Sequence, residues 1–211
     1  MDKILLIGAG GHARSCIDVL EEENQFEIAG LVEKGESISN ESLGYPVIGI
    51  DDDLKVLRRQ YKNALITVGQ IKSPKIRMKL YQLLKELDFT LPVIISSKAY
   101  VSKHAQIGEG TIIMHGAIVN ANAKIGNNCI INNKSLIEHD AVIGDHCHIA
   151  TGAIINGEVS VENETFIGSG AVTKQAIAIG KNCVIGAGVV LKNDIESNKV
   201  VKNWKSYTQL S

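Results

Sequence analysis

Residues 119–143 read VNANAKIGNNCIINNKSLIEHDAVI, and this stretch decides the fold. Within it an aliphatic residue recurs at every sixth position, at Val119, Ile125, Ile131, Ile137 and Ile143. A small residue follows four positions after each of these. Neither the helical period of 3.6 nor the alternation of a simple strand produces a period of six. A hexapeptide repeat does, and it predicts a parallel β-helix.

The same register runs without interruption from Ile95 to Leu191. Of its seventeen positions only Thr173 is not aliphatic, so no loop is expected within the coils. Three hexads make one triangular turn, which stacks residues 18 apart and fills the interior with aliphatic side chains. From Asn193 the chain leaves this register, and residues 193–211 are expected to cap the open end or to pack beside it. That tail carries Lys199, Lys202, Trp204, Lys205 and Tyr207.

The first 95 residues follow a different pattern, in which apolar runs alternate with amphipathic segments. Strands are predicted at 3–7, 26–32, 46–49, 63–68 and 91–95, and helices at 12–23, 51–61 and 73–87. Strands that alternate with helices indicate an open parallel α/β domain of the Rossmann-like kind. The predicted domains are therefore 1–95 (α/β), 96–192 (β-helix) and 193–211 (tail).

Composition excludes several classes of protein. The net charge of −1 gives no basic excess for binding nucleic acid. No apolar run reaches the ~20 residues of a membrane span, and Lys3 leads directly into a strand rather than a signal peptide. A cytoplasmic protein is expected. Cys129, Cys147 and Cys183 occupy the small position of the hexad and Cys16 lies in a predicted helix, so all four are expected to be reduced and structural.

A glycine-rich loop connects the first strand to the first helix. Its pattern, Gly8-x-Gly10-x-x-Ala13, suits the binding of phosphate at a helix N-terminus. Glu33 follows the second strand, where a carboxylate can bind a ribose hydroxyl. A dinucleotide and a sugar nucleotide both fit this geometry. His12, at the start of the helix, is placed to meet a phosphate.

The six histidines do not have the spacing of a metal site. The γ-type carbonic anhydrases bind zinc on a β-helix with two histidines five residues apart, whereas His139, His146 and His148 are separated by seven and two. The four cysteines match no zinc motif either. No metal is predicted.

His139 is the candidate for catalysis. It occupies the third position of its hexad, which is mostly polar or small elsewhere, so its side chain is expected to be exposed. Asp140 follows directly, and a carboxylate bonded to one imidazole nitrogen fixes the tautomer and raises the basicity of the other. The alternative is a solvated surface histidine.

The glycine loop together with hexads containing Ile137-Glu138-His139-Asp140 resembles a family of bacterial sugar acetyltransferases. These left-handed β-helix enzymes include the sialic-acid O-acetyltransferases and the UDP-4-amino-sugar N-acetyltransferases. The resemblance extends to about Val190. It implies a homotrimer, with acetyl-CoA bound in the groove between neighbouring subunits.

The resemblance also implies roles for individual residues. His139 matches the general base, Asp140 the acid that orients it (usually Glu), His148 a contact to the thioester of acetyl-CoA, and Gly157 a backbone N–H facing the acetyl carbonyl. Asn132 matches an asparagine near the acceptor sugar. Gly8, Gly10, Gly11 and His12 match the loop that holds the nucleotide diphosphate. Glu33 matches an acidic residue at the uridine end, and Gly69 and Gln70 match the turn after the fourth strand. The Gly-x-Pro-Ala-Lys segment usual near the C-terminus of the family is absent, so Lys202 or Lys205 is expected to hold the coenzyme's nucleotide.

Three functions are compatible with this sequence. The first is acetyl-CoA-dependent N-acetylation of a nucleotide-linked 4-amino sugar, carried by UDP, in bacterial surface-glycan biosynthesis. The second is O-acetylation of sialic acid or of a polysaccharide precursor by the same machinery. The third is a non-enzymatic trimeric scaffold whose glycine loop senses a nucleotide. The α/β domain favours the first, because a free sugar needs no phosphate loop.

Overall fold

A computed structural model describes residues 1–35 and 41–202 of the chain. The N-terminal part is an α/β domain with a five-stranded sheet in the order β3-β4-β2-β1-β5. All neighbours are parallel except the short β3-β4 hairpin. The elements are β1 (Asp2–Ile7), α1 (Gly11–Glu23), β2 (Phe26–Glu33), β3 (Glu41–Ser42), β4 (Tyr45–Ile50), a 3-10 turn (Asp51–Asp53), α2 (Leu54–Leu57), β5 (Asn63–Ile66) and α3 (Lys75–Glu86).

The remainder is a parallel β-helix of two-residue strands arranged on three faces. Face A contains β6 (Ile94–Ile95), β9 (Ile112–Ile113), β12 (Ile130–Ile131), β15 (His148–Ile149), β18 (Phe166–Ile167), β21 (Val184–Ile185) and β23 (Val200–Val201). Face B contains β7 (Tyr100–Val101), β10 (Ile118–Val119), β13 (Leu136–Ile137), β16 (Ile154–Ile155), β19 (Val172–Thr173) and β22 (Val190–Leu191). Face C contains β8 (Gln106–Ile107), β11 (Lys124–Ile125), β14 (Val142–Ile143), β17 (Ser160–Val161) and β20 (Ala178–Ile179).

The hexad register sets both the interior and the corners of this prism. Residues 18 apart pair between coils, as Ile131 does with Ile149, and both side chains are fully buried. The fourth position of every hexad from Gly110 to Gly188 has a positive φ. Glycine reaches this left-handed conformation freely and Asn and Asp tolerate it, which explains why these residues recur at the corners.

The two parts are packed against each other through α1 and face A. Cys16, Ile17 and Leu20 of α1 share one buried cluster with Ile112 and Ile130 of face A. Helices α2 and α3 cover the opposite face of the sheet, where Leu54, Leu80 and Leu84 form a second buried cluster with the strands. Side-chain hydrogen bonds also connect the α/β domain with the β-helix, between Glu22 and Lys98, Asp18 and His115, and Lys85 and Glu109.

Three sequence expectations need correction. The apolar run 91–95 is not a strand of the α/β sheet, because Ile94–Ile95 pairs with Ile112–Ile113 and so begins face A. The helix predicted at 51–61 is a 3-10 turn followed by the single helical turn of α2.

The third correction concerns the tail, which continues the β-helix to residue 202. Ile195 pairs with Ile179 and Val201 with Ile185, each 16 residues apart instead of 18, so this last coil is two residues shorter. Shortening moves the inward positions to Ile195 and Val201, so the hexad register ends at Leu191. Trp204, Lys205 and Tyr207 lie outside the described residues.

Across residues 1–35 and 41–202, no helix combines the length and apolarity that a bilayer crossing requires. The same residues contain no cluster of three His, Cys, Asp or Glu side chains placed to share a metal ion.

Candidate functional site

A cavity of about 510 Å³ lies where α1, the loop after β5 and face A meet. Its lining consists of Gly8, Gly10, Gly11, His12, Glu33, Thr67, Val68, Gly69, Gln70, Ile71 and His148. Eight of the twelve site residues expected from the sequence are therefore brought together, although they come from both parts of the chain. Asn132 adjoins the cavity through His148, while His139, Asp140 and Gly157 lie elsewhere.

The glycine loop opens the N-terminus of α1 toward this cavity. The helix begins at Gly11 and no side chain caps it. The N–H of Ala13 donates to the carbonyl of Gly10 at 3.0 Å, and the N-terminus at Gly11 and His12 is open to an anion. A Cβ at Gly10 or Gly11 would meet nothing within 4 Å, which leaves room for a ligand to approach the backbone. Gly8 is required by the turn itself, because its φ is +113° and a Cβ would lie 2.7 Å from Cγ2 of Val68.

Glu33 lines the cavity at the end of β2. Its Oε2 accepts the N–H of Ala9 at 2.7 Å and its Oε1 accepts the N–H of Lys34 at 2.9 Å. The carboxylate is thereby fixed beside the glycine loop. Each oxygen keeps a further lone pair, which suits the hydroxyl of a sugar.

His148 forms the face A side of the cavity and its tautomer follows from its partners. The Nδ1 is bonded to the carbonyl of Gln70, which can only accept, so Nδ1 carries the proton. Asn132 uses its Oδ1 to accept the N–H of Asn133 and presents Nδ2 to His148 Nε2 at 3.1 Å. The side chain is 7% exposed, and burial lowers the pKa of His148 to about 4 against the opposing hydrogen bond to Gln70. It is therefore neutral at pH 7.

His12 is neutral as well. Burial lowers the pKa of His12 to about 3, and the charge of Arg77 adds to the shift. Its Nε2 lies 3.5 Å from Sγ of Cys16, whose own pKa is raised to about 12 by burial. The thiol therefore stays protonated, and His12 contributes an uncharged ring beside the glycine loop of the cavity.

Three residues immediately behind the cavity were not predicted from the sequence: Arg77, Asn128 and His146. Arg77 donates to backbone oxygens of Ile66 and Val68 and to Asn128, and Asn128 in turn contacts His146. One signal was available for Arg77. With Leu80 and Leu84 it occupies the apolar face of α3, where an arginine is unexpected.

His139 lies in the turn between faces B and C. Its Nδ1 donates to Oδ2 of Asp140 at 2.8 Å, and Asn122 donates to the other oxygen at 2.6 Å. The imidazole is 59% exposed. The hydrogen bond to Asp140 raises the pKa of His139, and Nε2 is left as the nitrogen that can accept a proton.

Gly157 stands one coil above His139 on the same edge. A Cβ there would lie 2.9 Å from Nε2 of the imidazole, so any other residue would displace the ring. Its carbonyl accepts the N–H of Ala176 at 2.9 Å, whereas its own N–H has no acceptor among residues 1–35 and 41–202. A proton acceptor and a hydrogen-bond donor thus stand side by side, which is the pair an acyl transfer needs.

The two groups of residues are on opposite sides of one chain. His148 belongs to face A, whereas His139 projects from the edge between faces B and C, and that edge is opposite face A in a triangular prism. A single chain does not bring His139 to its own cavity.

Comparison with protein families identifies both parts of the chain. Residues 3–84 match the PglD N-terminal domain. Residues 104–139 and 122–157 match the bacterial transferase hexapeptide of six repeats, and residues 158–193 match the hexapeptide repeat of succinyl-transferase. Comparison with curated proteins gives no match.

Solved structures resemble the chain over nearly its full length. PerB from Caulobacter crescentus, in complex with CoA and GDP-perosamine, is 31% identical, with coverage of 95% of this chain and 93% of PerB and a TM-score of 0.87. The acetyltransferase domain of PglB from Neisseria gonorrhoeae, in complex with acetyl coenzyme A, is 30% identical, with 92% of each chain covered and a TM-score of 0.84. WeeI from Acinetobacter baumannii is 27% identical, with 96% and 97% covered and a TM-score of 0.83.

Proposed function

This chain belongs to the hexapeptide-repeat sugar acetyltransferases, which use acetyl-CoA, and we propose that it acetylates the amine of a nucleotide-linked amino sugar. Membership confirms the predicted family and, with it, the left-handed β-helix. The observation that carries the proposal is the cavity, where an uncapped helix N-terminus and Glu33 adjoin a buried neutral histidine. That combination fits a diphosphate, a sugar hydroxyl and an acceptor group in one line.

The chemistry is a direct transfer in which His139 is the general base. The amine attacks the thioester carbonyl, His139 Nε2 takes the proton from the amine, and the N–H of Gly157 binds the oxyanion. Collapse of the tetrahedral intermediate releases CoA as the thiolate. Asp140 keeps the proton on Nδ1, which leaves Nε2 free to accept.

The substrate lies along the cavity. The α1 N-terminus, with Gly10, Gly11 and His12, holds the diphosphate, and Glu33 binds the ribose at the nucleoside end. Gly69 and Gln70 form the wall, and Asn132 and His148 line the path toward the sugar and the thioester. The family resemblance implies UDP, whereas the PerB complex holds GDP-perosamine, and the assay below compares the two nucleotides.

The functional unit is a homotrimer with sites between subunits. His139 and the cavity are on opposite sides of one chain, so the base must come from a neighbouring copy. Ile118 on face B and Val142 on face C flank the His139 edge and are 40% and 43% exposed, and a neighbouring subunit would cover such apolar side chains. In this assembly residues 1–95 select the acceptor, 96–192 carry out the transfer and 193–211 contribute to coenzyme binding.

A thiol-release assay tests the function. Acetyl-CoA is supplied with a UDP-linked 4-amino sugar, a GDP-linked 4-amino sugar, a free amino sugar or a sialic acid. We expect CoA release with a nucleotide-linked amine. In the cell we expect the reaction to take place in the cytoplasm. If CoA is released only with the sialic acid, the proposed activity is O-acetylation and not N-acetylation. If no acceptor gives CoA release, the non-enzymatic scaffold is favoured.

A further inference from the structure

Arg77 is a buried cation that has no carboxylate partner among the described residues. It is 1% exposed and stands on α3. Its Nη1 donates to the carbonyls of Ile66 and Val68 at 2.8 and 2.7 Å, and its Nη2 donates to Oδ1 and the carbonyl of Asn128 at 2.7 and 3.3 Å. Its Nε is buried without a partner there. An unpaired buried charge is costly, so stability alone does not account for it.

The groups that Arg77 binds belong to two separate elements. Ile66 and Val68 bracket the beginning of the loop that lines the cavity, and Asn128 lies in the turn between faces C and A. The planar guanidinium fork therefore ties this loop to the β-helix in one geometry.

Gln70 carries that geometry to His148. It lies two residues beyond Val68, its Nε2 donates to the carbonyl of His146 at 2.9 Å, and its own carbonyl accepts from His148 Nδ1. If the loop moved, His148 would lose the acceptor that keeps its proton on Nδ1.

The guanidinium of Arg77 also fixes the orientation of the Asn128 side chain in the turn between faces C and A. Its Oδ1 is taken by Arg77, so its Nδ2 faces Nδ1 of His146 at 3.0 Å. A nitrogen that accepts from an amide carries no proton, so His146 is held with its proton on Nε2. The carbonyl that accepts from Gln70 belongs to His146, and Arg77 holds His146 through Asn128.

We propose that Arg77 is a positioning residue of the acetyl-transfer site: its fork sets the loop so that the Gln70 carbonyl holds His148 as the Nδ1–H tautomer. The Nε2 lone pair then faces Asn132 and the ligand path. The consequence for turnover rests on the proposed function, but the tautomer does not.

The charges around His148 agree with a fixed neutral ring. The titratable and charged groups that act on it are His12 from α1 and Arg77 from α3. His146 lies in the adjacent turn, where Asp145, Arg77 and Glu164 act on it. Phe166 packs against its other side with ring centroids 5.2 Å apart. The Arg77 charge lowers the pKa of His148 whereas the bond to Gln70 raises it, so loss of Arg77 together with a freed loop changes the pKa in two opposing directions. The tautomer of His148 is therefore the readout.

The first measurement needs no variant. Nitrogen NMR of the wild-type enzyme, with ¹⁵N-labelled histidine, should show His148 as the Nδ1–H tautomer throughout pH 6–8. A His148 ring protonated on Nε2 in that range overturns the proposal.

The variants Arg77→Met and Arg77→Lys separate the fork from the charge. Both should give a mixture of His148 tautomers and a kcat/KM lower by roughly 10- to 100-fold, the cost of misplacing a site group by about 1 Å. Arg58→Met is the matched control, because Nη2 of Arg58 donates to Oδ2 of Asp88 at 3.0 Å and Arg58 does not line the cavity. This variant should keep the native His148 tautomer and the wild-type kcat/KM. If Arg77→Met does not fold, Arg77→Lys and the wild-type spectrum decide.

Two outcomes separate this inference from the proposed function. A folded Arg77→Lys enzyme with the native His148 tautomer sinks the positioning role, whatever its activity. A changed tautomer with unchanged kcat/KM upholds the positioning role and removes His148 from the proposed transfer.

Discussion

Two histidines on one repetitive scaffold have opposite properties. His148 is buried on face A with its Nδ1 bonded to a backbone carbonyl, and its pKa is lowered to about 4. His139 is exposed on the opposite edge with its Nδ1 bonded to a carboxylate, and its pKa is raised. His148 stands on a strand of face A and His139 in a turn between faces B and C, and in the described part of the chain only face A is covered by the α/β domain, so the difference follows from their places on the prism.

That difference separates two tasks. A ring that stays neutral at every physiological pH can orient a ligand but is a poor proton acceptor. A ring with a raised pKa accepts a proton readily and can release it to solvent afterwards. The α/β domain buries His148 and leaves His139 uncovered, and so determines which histidine is suited to be the base.

The largest effect is expected from removing the proposed base. His139→Asn should lower kcat by about 10²- to 10⁴-fold, because general-base catalysis contributes that much. The melting temperature should stay near the wild-type value, since the imidazole is 59% exposed. Stopped assays of acetylated product measure the rate.

His104→Asn is the matched control. His104 is exposed in an equivalent turn between faces B and C and belongs to neither group of site residues, so its loss should leave kcat unchanged. If His139→Asn turns over at the wild-type rate, the exposed histidine is an ordinary surface residue.

A mixing experiment tests whether the two regions meet only between chains. His139→Asn lacks the proposed base, and Gly10→Glu places a carboxylate in the proposed phosphate site, where a Cβ meets no neighbour. Each should be inactive alone. Equal amounts, unfolded and refolded together, should recover about one quarter of wild-type activity, because each half of an intersubunit site is intact with a probability of about one half.

Recovery near zero in trimers verified by mass would mean that one chain supplies both halves. A recovered activity well above one quarter would indicate that the intact halves assemble preferentially. Refolding each variant alone controls for the yield of the procedure.

The hexad register made the β-helix and the His139 edge predictable. A strict period assigns every residue to a face or a corner, so His139, Asp140 and Gly157 could be placed before any contact was known. The burial of His148 could not be predicted in this way, because it depends on Gln70, which is 78 residues away.

Other features were hidden for identifiable physical reasons. Arg77 and Asn128 are 51 residues apart and become neighbours only when the α/β domain packs on face A. The apolar run 91–95 suits either sheet, and only pairing with Ile112–Ile113 assigns Ile94–Ile95 to the β-helix. The last coil was not predicted because it is two residues shorter than the others, which shifts every inward position away from the hexad register.

The smallest and most specific effect concerns Asp140. Its hydrogen bond is the main reason that the pKa of His139 is raised, and only the neutral ring can accept a proton, so activity should fall as pH drops through that pKa. Asp140→Asn should lower the pKa and move the acidic limb of kcat/KM to lower pH. The plateau at higher pH should fall by roughly tenfold, because a less basic and less oriented ring is a weaker acceptor.

Asparagine is tolerated at the φ of 60° found here, so folding should persist. Asp140→Glu keeps the carboxylate and should retain the acidic limb. An acidic limb that does not move in Asp140→Asn would mean that solvent, not Asp140, sets the basicity of His139, and the contrast with His148 would then rest on burial alone.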